Sequence, residues 1–146
     1  MKFKIKYIQF KNIPKPNIQA CFLFSDSQTK YDILEELLND SFVSAIPEDN
    51  HVLQSLNEIA SGKQESLISG TERVMMHIAK NETLLTDNFD GVYDNIDILQ
   101  PLKVSTSDLR DLIIWWIQEK PRLEKIANDS GLSADELNDT SDNTDS

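Results

Sequence analysis

Residues 2–7 alternate with a period of two. Phe3, Ile5 and Tyr7 fall on one face and Lys2, Lys4 and Lys6 on the other, which predicts a strand with one covered side. Ile8 and Phe10 then appear on the lysine face, so a bulge or twist is expected there. Pro14 and Pro16 remove two backbone donors and make this stretch a connection rather than a central strand. Residues 18–24, IQACFLF, form an apolar run of strand length, closed by Ser25-Asp26-Ser27. Helical spacing follows. Ile33, Leu34, Leu37 and Leu38 recur at i, i+3 and i+4, with Asp32, Glu35, Glu36 and Asp40 on the outer side. Pro47 separates this helix from a second one predicted over 50–60. There Val52, Leu53, Leu56 and Ile59 face inward and Gly62 acts as the stop.

From Glu65 the period returns to two. Residues 65–69, 72–79 and 82–86 read as short strands joined at Ser69-Gly70 and at Lys80-Asn81. Val74, Met76 and Ile78 share one face of the middle strand; Arg73, Met75, His77 and Ala79 share the other. An acidic loop, DNFDGVYDNID, occupies 87–97, and a further strand is expected over 98–104. Ser105, Thr106 and Ser107 then supply hydroxyl caps, and Asp108 an acid in the first turn, for a last helix over 106–120. Its core stripe is Leu109, Leu112, Ile113, Trp116 and Ile117, and Pro121 is expected to end or kink it, with a short helix over 122–128. The order β-β-α-α-β-β-β-β-α, with strands too close together for parallel crossovers, predicts an α+β fold. The expectation is a mostly antiparallel sheet with helices packed on one face.

The chain's 146 residues, 39% hydrophobic and 27% charged, suit one globular domain, expected over 1–128. Residues 129–146 hold six acids, no base and many Ser, Thr and Asn residues, so a disordered acidic tail is expected there. The formal charge is −11. Its distribution is uneven: residues 1–30 carry six lysines and one acid, while the other 116 residues carry 24 acids and eight bases. Such a balance argues against binding nucleic acid or an anionic membrane and favours a basic partner. The alternating lysines at the start are unlike a secretory signal, and no run approaches a membrane span, so a cytoplasmic location is expected.

Little in the chain has the pattern of an enzyme. One cysteine, Cys21, lies in an apolar run and reads as an inert thiol. His51 and His77 are the only histidines, and no phosphate-binding glycine loop or nucleophile elbow is present. Glu35 and Glu36 diverge by about 100° on their helix, which rules them out as an acid–base pair. A calcium loop beginning at Asp87 would place Phe89 at its third position and Gly91 at its fifth, where oxygen ligands are needed. No metal or other cofactor is expected. Phe89 and Tyr93 stand among the aspartates, either as anchors of a long loop or as rings that meet Arg and Lys of a partner. In LIIWWI, Trp116 falls at the centre of the core stripe and Trp115 to one side, where it is either covered or part of a partner surface.

The stretch ERVMMHIAKNETLLTDNFDGVYDNIDILQPLKVSTSDLRDLIIWWIQEK, residues 72–120, resembles the small bacterial immunity proteins of polymorphic and contact-dependent growth-inhibition (CDI) toxin systems. In those, a β-meander with an acidic loop leads through a strand into a capped amphipathic last helix. The resemblance implies a role: binding a cognate toxin domain, often a nuclease, in a 1:1 complex that blocks its basic active site. It carries over no residues, because immunity surfaces diverge with their toxins. The contact residues expected from the acid pattern are Asp87, Asp90, Tyr93, Asp94 and Asp97, with Trp115 a second candidate. An acidic adaptor, or a nucleic-acid mimic that binds a host enzyme, would share the same surface. A neighbouring toxin gene would distinguish the first reading from these.

Overall fold

The computed structural model describes residues 3–24 and 29–142. In chain order the elements are β1 (Phe3–Gln9), β2 (Ile18–Phe24), α1 (Asp32–Leu38), α2 (His51–Ala60), β3 (Ser66–Gly70), β4 (Val74–Ala79), β5 (Glu82–Asp87), β6 (Leu102–Ser105), α3 (Thr106–Asp129) and α4 (Ala134–Asp142). The class is α+β, with one antiparallel pair, β1-β2, and one antiparallel sheet, β3-β4-β5-β6. Lys2, the turn Ser25-Asp26-Ser27 and the last residues of the tail, 143–146, lie outside the described residues. The chain divides into two compact units, Gln28–Ile117 and the pairing of Met1–Ser27 with Gln118–Ser146.

In the central unit the two-residue turn Lys80-Asn81 sets the pairing of β4 with β5, from Ile78↔Thr83 at the turn to Val74↔Asp87 at the open end. One face of this sheet is covered: Val74, Met76, Ile78, Thr83 and Leu85 are buried, while His77 and Lys103 on the other face are exposed. Helix α1 packs against β4 and β5, and α2 against β3 and β4, through the leucine and isoleucine stripes that the spacing predicts. The first half of α3 buries Leu109, Ile113, Trp116 and Ile117. The Trp116 indole Nε1 donates to Leu38 O (2.9 Å), so the largest core side chain also satisfies a carbonyl at the end of α1. Thr106, at the start of α3, is buried. Its hydroxyl donates to Ala79 O (2.6 Å) and lies 2.8 Å from Thr83 Oγ1. The hydroxyl that caps the helix is that of Ser105, which accepts from Asp108 N.

Several expectations change. The strand expected over 98–104 is shorter and later, Leu102–Ser105, because the residues before it belong to the loop described below. Pro121 does not end the last helix: α3 continues to Asp129. Proline leaves the Ile117 carbonyl without its usual donor, and Ile117 is where the central unit ends. The bulge expected near Ile8 is absent from the paired residues: β1 and β2 stay in register from Phe3↔Phe24 to Gln9↔Ile18, and Ile8 remains 41% exposed on the lysine face.

The terminal unit corrects the expected disorder over 129–146, because α4 occupies part of it. Ser133 and Glu136 form a capping box, with Glu136 N donating to Ser133 Oγ (3.2 Å) and Ser133 N to Glu136 Oε1 (3.1 Å). Asn138 then bonds both backbone groups of Tyr7 on β1, accepting from N (2.7 Å) and donating to O (3.0 Å). Asn128 of α3 does the same for Ile18 on β2, and Glu124 accepts from Ala20 N (3.0 Å). Side chains thus occupy the outer edges of a two-stranded sheet that would otherwise present unpaired backbone groups.

Candidate functional site

The acidic loop begins where β5 ends, and its first carboxylate is the one that does not face outward. The Asp87 side chain is fully buried. Its Oδ1 accepts from Arg73 Nε (2.9 Å) and Phe89 N (2.9 Å); its Oδ2 accepts from Arg73 Nη2 (3.0 Å) and Leu99 N (2.9 Å). One carboxylate therefore ties both ends of the loop together and to β4. The Arg73 hydrogen bonds, assisted by the Leu99 and Phe89 amides, hold the Asp87 carboxyl down at about 2, against the opposing effect of burial. The Arg73 guanidinium is in turn held above its ordinary value, first by the bond to Asp87 and also by the charge of Glu36. Asp87 is thus a brace, which corrects its expected place among the contact residues.

Arg73 does more than neutralise Asp87. Its Nη2 donates to Asp97 O (3.1 Å), and its guanidinium lies 4.7 Å from the centre of the Phe89 ring. Phe89 meets Tyr93 edge-on at 5.0 Å. Asn88 secures the other side of the loop, donating from N to Arg73 O (2.7 Å) and from its amide to Thr71 O and Glu72 O. The chain bends back at Gly91, where φ is +79°, and Val92 N and Tyr93 N donate to Phe89 O.

Set on this base, residues 90–98 are exposed without a break. They include the carboxylates of Asp90, Asp94 and Asp97. Tyr93 is 52% exposed and Val92 65%, and Ile96 and Ile98 also reach solvent. The two readings of the aromatics divide between them: Phe89 is an anchor, half-buried under Arg73, while Tyr93 leans on it and presents its far side outward. Trp115 lies on α3, at the margin of exposure (36%), stacked on the buried Trp116 at 5.9 Å.

Sequence reasoning missed Arg73, although a signal was present. A two-residue turn at 80–81 brings residue 74 opposite residue 87, so the only base in the β3–β4 turn lands beside the first acid of the loop. It also missed the loop 39–50, discussed below. Among the described residues no group of three or more His, Cys, Asp or Glu is placed to hold a metal ion, and no helix is long and apolar enough to cross a membrane. Compared with known proteins, the chain matches no family model, no curated protein and no solved structure.

Proposed function

We propose that this chain is an immunity protein that binds a cognate bacterial toxin domain in the cytoplasm, as a 1:1 complex, and covers its basic active site. The observation that carries this reading is the braced loop: Asp90, Asp94 and Asp97 stand exposed beside Val92, Tyr93 and Ile96 on a backbone fixed at both ends by Asp87 and Arg73. A merely solvated loop has no need of exposed apolar and aromatic side chains among its acids. An interface uses both, the rings and aliphatic groups for contact area and the carboxylates for partner choice. Fixing the loop before binding reduces the ordering cost that a flexible acidic segment would face.

The charge pattern supports the same reading. A nuclease must gather Lys and Arg to hold phosphate, and a surface of carboxylates offers those groups a substitute. The formal charge of −11 steers such a partner toward the complex. Asp90, Tyr93, Asp94 and Asp97 are the contact residues in this account, with Trp115 a second position.

The reading requires that a toxin's C-terminal domain be encoded directly upstream of this chain, and co-expression with that domain tests it. The expected result is that the upstream domain alone arrests growth, that co-expression restores it, and that the two chains co-purify in equal amounts. Arrest that persists, with no complex recovered, contradicts it.

A further inference from the structure

The acidic loop is not the only exposed segment at its end of the central sheet. The open end of the β4–β5 pair, Val74↔Asp87, is also where the β3–β4 turn lies. At that turn Gly70 has φ +135°, and a Cβ there would sit 2.1 Å from Val74 O, so only glycine allows the strands to close this tightly. The Gly70 carbonyl accepts from His51 Nε2 (2.6 Å), and His51 opens α2. The His51 ring stands 6.3 Å from the Phe42 ring. On the other side of the turn, Asn88 bonds Thr71 O and Glu72 O. Three segments, 39–51, 70–73 and 87–99, are thereby linked side by side.

The loop 39–50 is built to hold two apolar side chains outward. Asn50 is fully buried; its Oδ1 caps α2 by accepting from Leu53 N (2.9 Å), and its Nδ2 donates to Val43 O (2.7 Å) and Ala45 O (3.2 Å). Asp40 Oδ1 accepts from Phe42 N (2.8 Å). Val43 is fully buried, while its neighbours Phe42 and Ile46 are 61% and 59% exposed. Exposed apolar residues at this degree on a backbone fixed from beneath are a docking strip in form.

Charge identifies the occupant. Across the three segments Glu48, Asp49, Glu72, Asp90, Asp94 and Asp97 are exposed, and the one Lys or Arg among them, Arg73, is committed to Asp87. We infer that Phe42 and Ile46 form the apolar half of the surface whose acidic half is the loop 90–97, and that together they seat a basic protein domain. This rests on the inhibitor reading and extends it: the acids govern approach, and Phe42 with Ile46 govern how long the complex lasts.

Binding kinetics of purified protein to the upstream-encoded domain, held on a sensor surface in a catalytically inactive form, test the inference. Four proteins are compared: the natural chain, Phe42→Ala/Ile46→Ala, Asp90→Asn/Asp94→Asn, and Ile68→Ala, which alters an exposed residue (69%) of β3 outside the three segments. All four substituted side chains besides Ile68 lie at the surface of those segments, and circular dichroism verifies that each variant is folded. The expected result is dissociation at least roughly tenfold faster for Phe42→Ala/Ile46→Ala, with association little changed. Association should be slower for the aspartate variant and unaltered for Ile68→Ala. Dissociation of Phe42→Ala/Ile46→Ala at the natural rate overturns the inference while leaving the inhibitor reading intact. Absence of binding by the natural chain overturns both.

Discussion

A carboxylate with no exposed side-chain surface carries charge at neutral pH only if its partners repay the loss of water, and at Asp87 four donors from three residues do so. Because its pKa falls from 3.8 to about 2 on folding, the ionised form contributes about 2 kcal/mol to stability. That contribution is complete above pH ~4 and is lost as pH falls toward ~2. Urea titrations at pH 7 and at pH 2.5 measure it. Asp87→Asn should cost roughly 2–3 kcal/mol at pH 7 and should flatten the acid dependence. A variant with natural stability at pH 7 would remove the brace from the account. Asn50→Ala should cost a similar amount, about 2–3 kcal/mol, because it deletes a helix cap and leaves Val43 O and Ala45 O without their donor. Thermal melting checks it. Neither residue was legible as structural from composition. A count of acids cannot separate the paired carboxylate from the solvated ones; the strand register can, and it was derivable from the Lys80-Asn81 turn.

Elements with one-sided patterns were legible: α1, α2, the β3–β5 meander and the first half of α3 all follow from apolar spacing. Where a helix depends on its ends or on distant partners, periodicity alone misleads. Helix α4 has few apolar residues, yet Ser133 and Glu136 spell a capping box, and Asn138 supplies the tie to β1 from 131 positions away in the chain. Composition led to an expectation of disorder where local capping chemistry pointed to a helix. Similarly, Pro121 removes one donor but leaves the remaining turns of α3 able to form, and Asn128 and Glu124 on its second half hold the edge of β2. Asn138→Ala therefore has a local signature. The amide of Tyr7 and the residues of α4 should exchange hydrogen faster by about tenfold or more, with little change over residues 30–117. Mass-resolved exchange reads this directly, and unchanged exchange at Tyr7 would mean that the amide does not secure the edge.

For the whole molecule the excess of acid lies in the central unit, while the lysines of β1 belong to the other compact unit. This asymmetry predicts a salt-sensitive approach to a basic partner. The association rate with the upstream-encoded domain should fall by roughly tenfold or more between about 20 mM and about 500 mM salt, with dissociation much less affected. Stopped-flow mixing separates the two rates. The sequence yields the sign of the charge and its clustering, but not which loops share a surface; that required the bonds His51–Gly70 and Asn88–Thr71, which join segments far apart in the chain.

Hydrogen exchange of the purified complex, compared with the free chain, decides whether the loops at the open end of the central sheet hold the toxin domain. New protection is expected in 39–51, 70–73 and 87–99 of the central unit, with the terminal unit unchanged. Protection confined to β1, β2 and α4, or none anywhere when the upstream-encoded domain is present in excess, would contradict it.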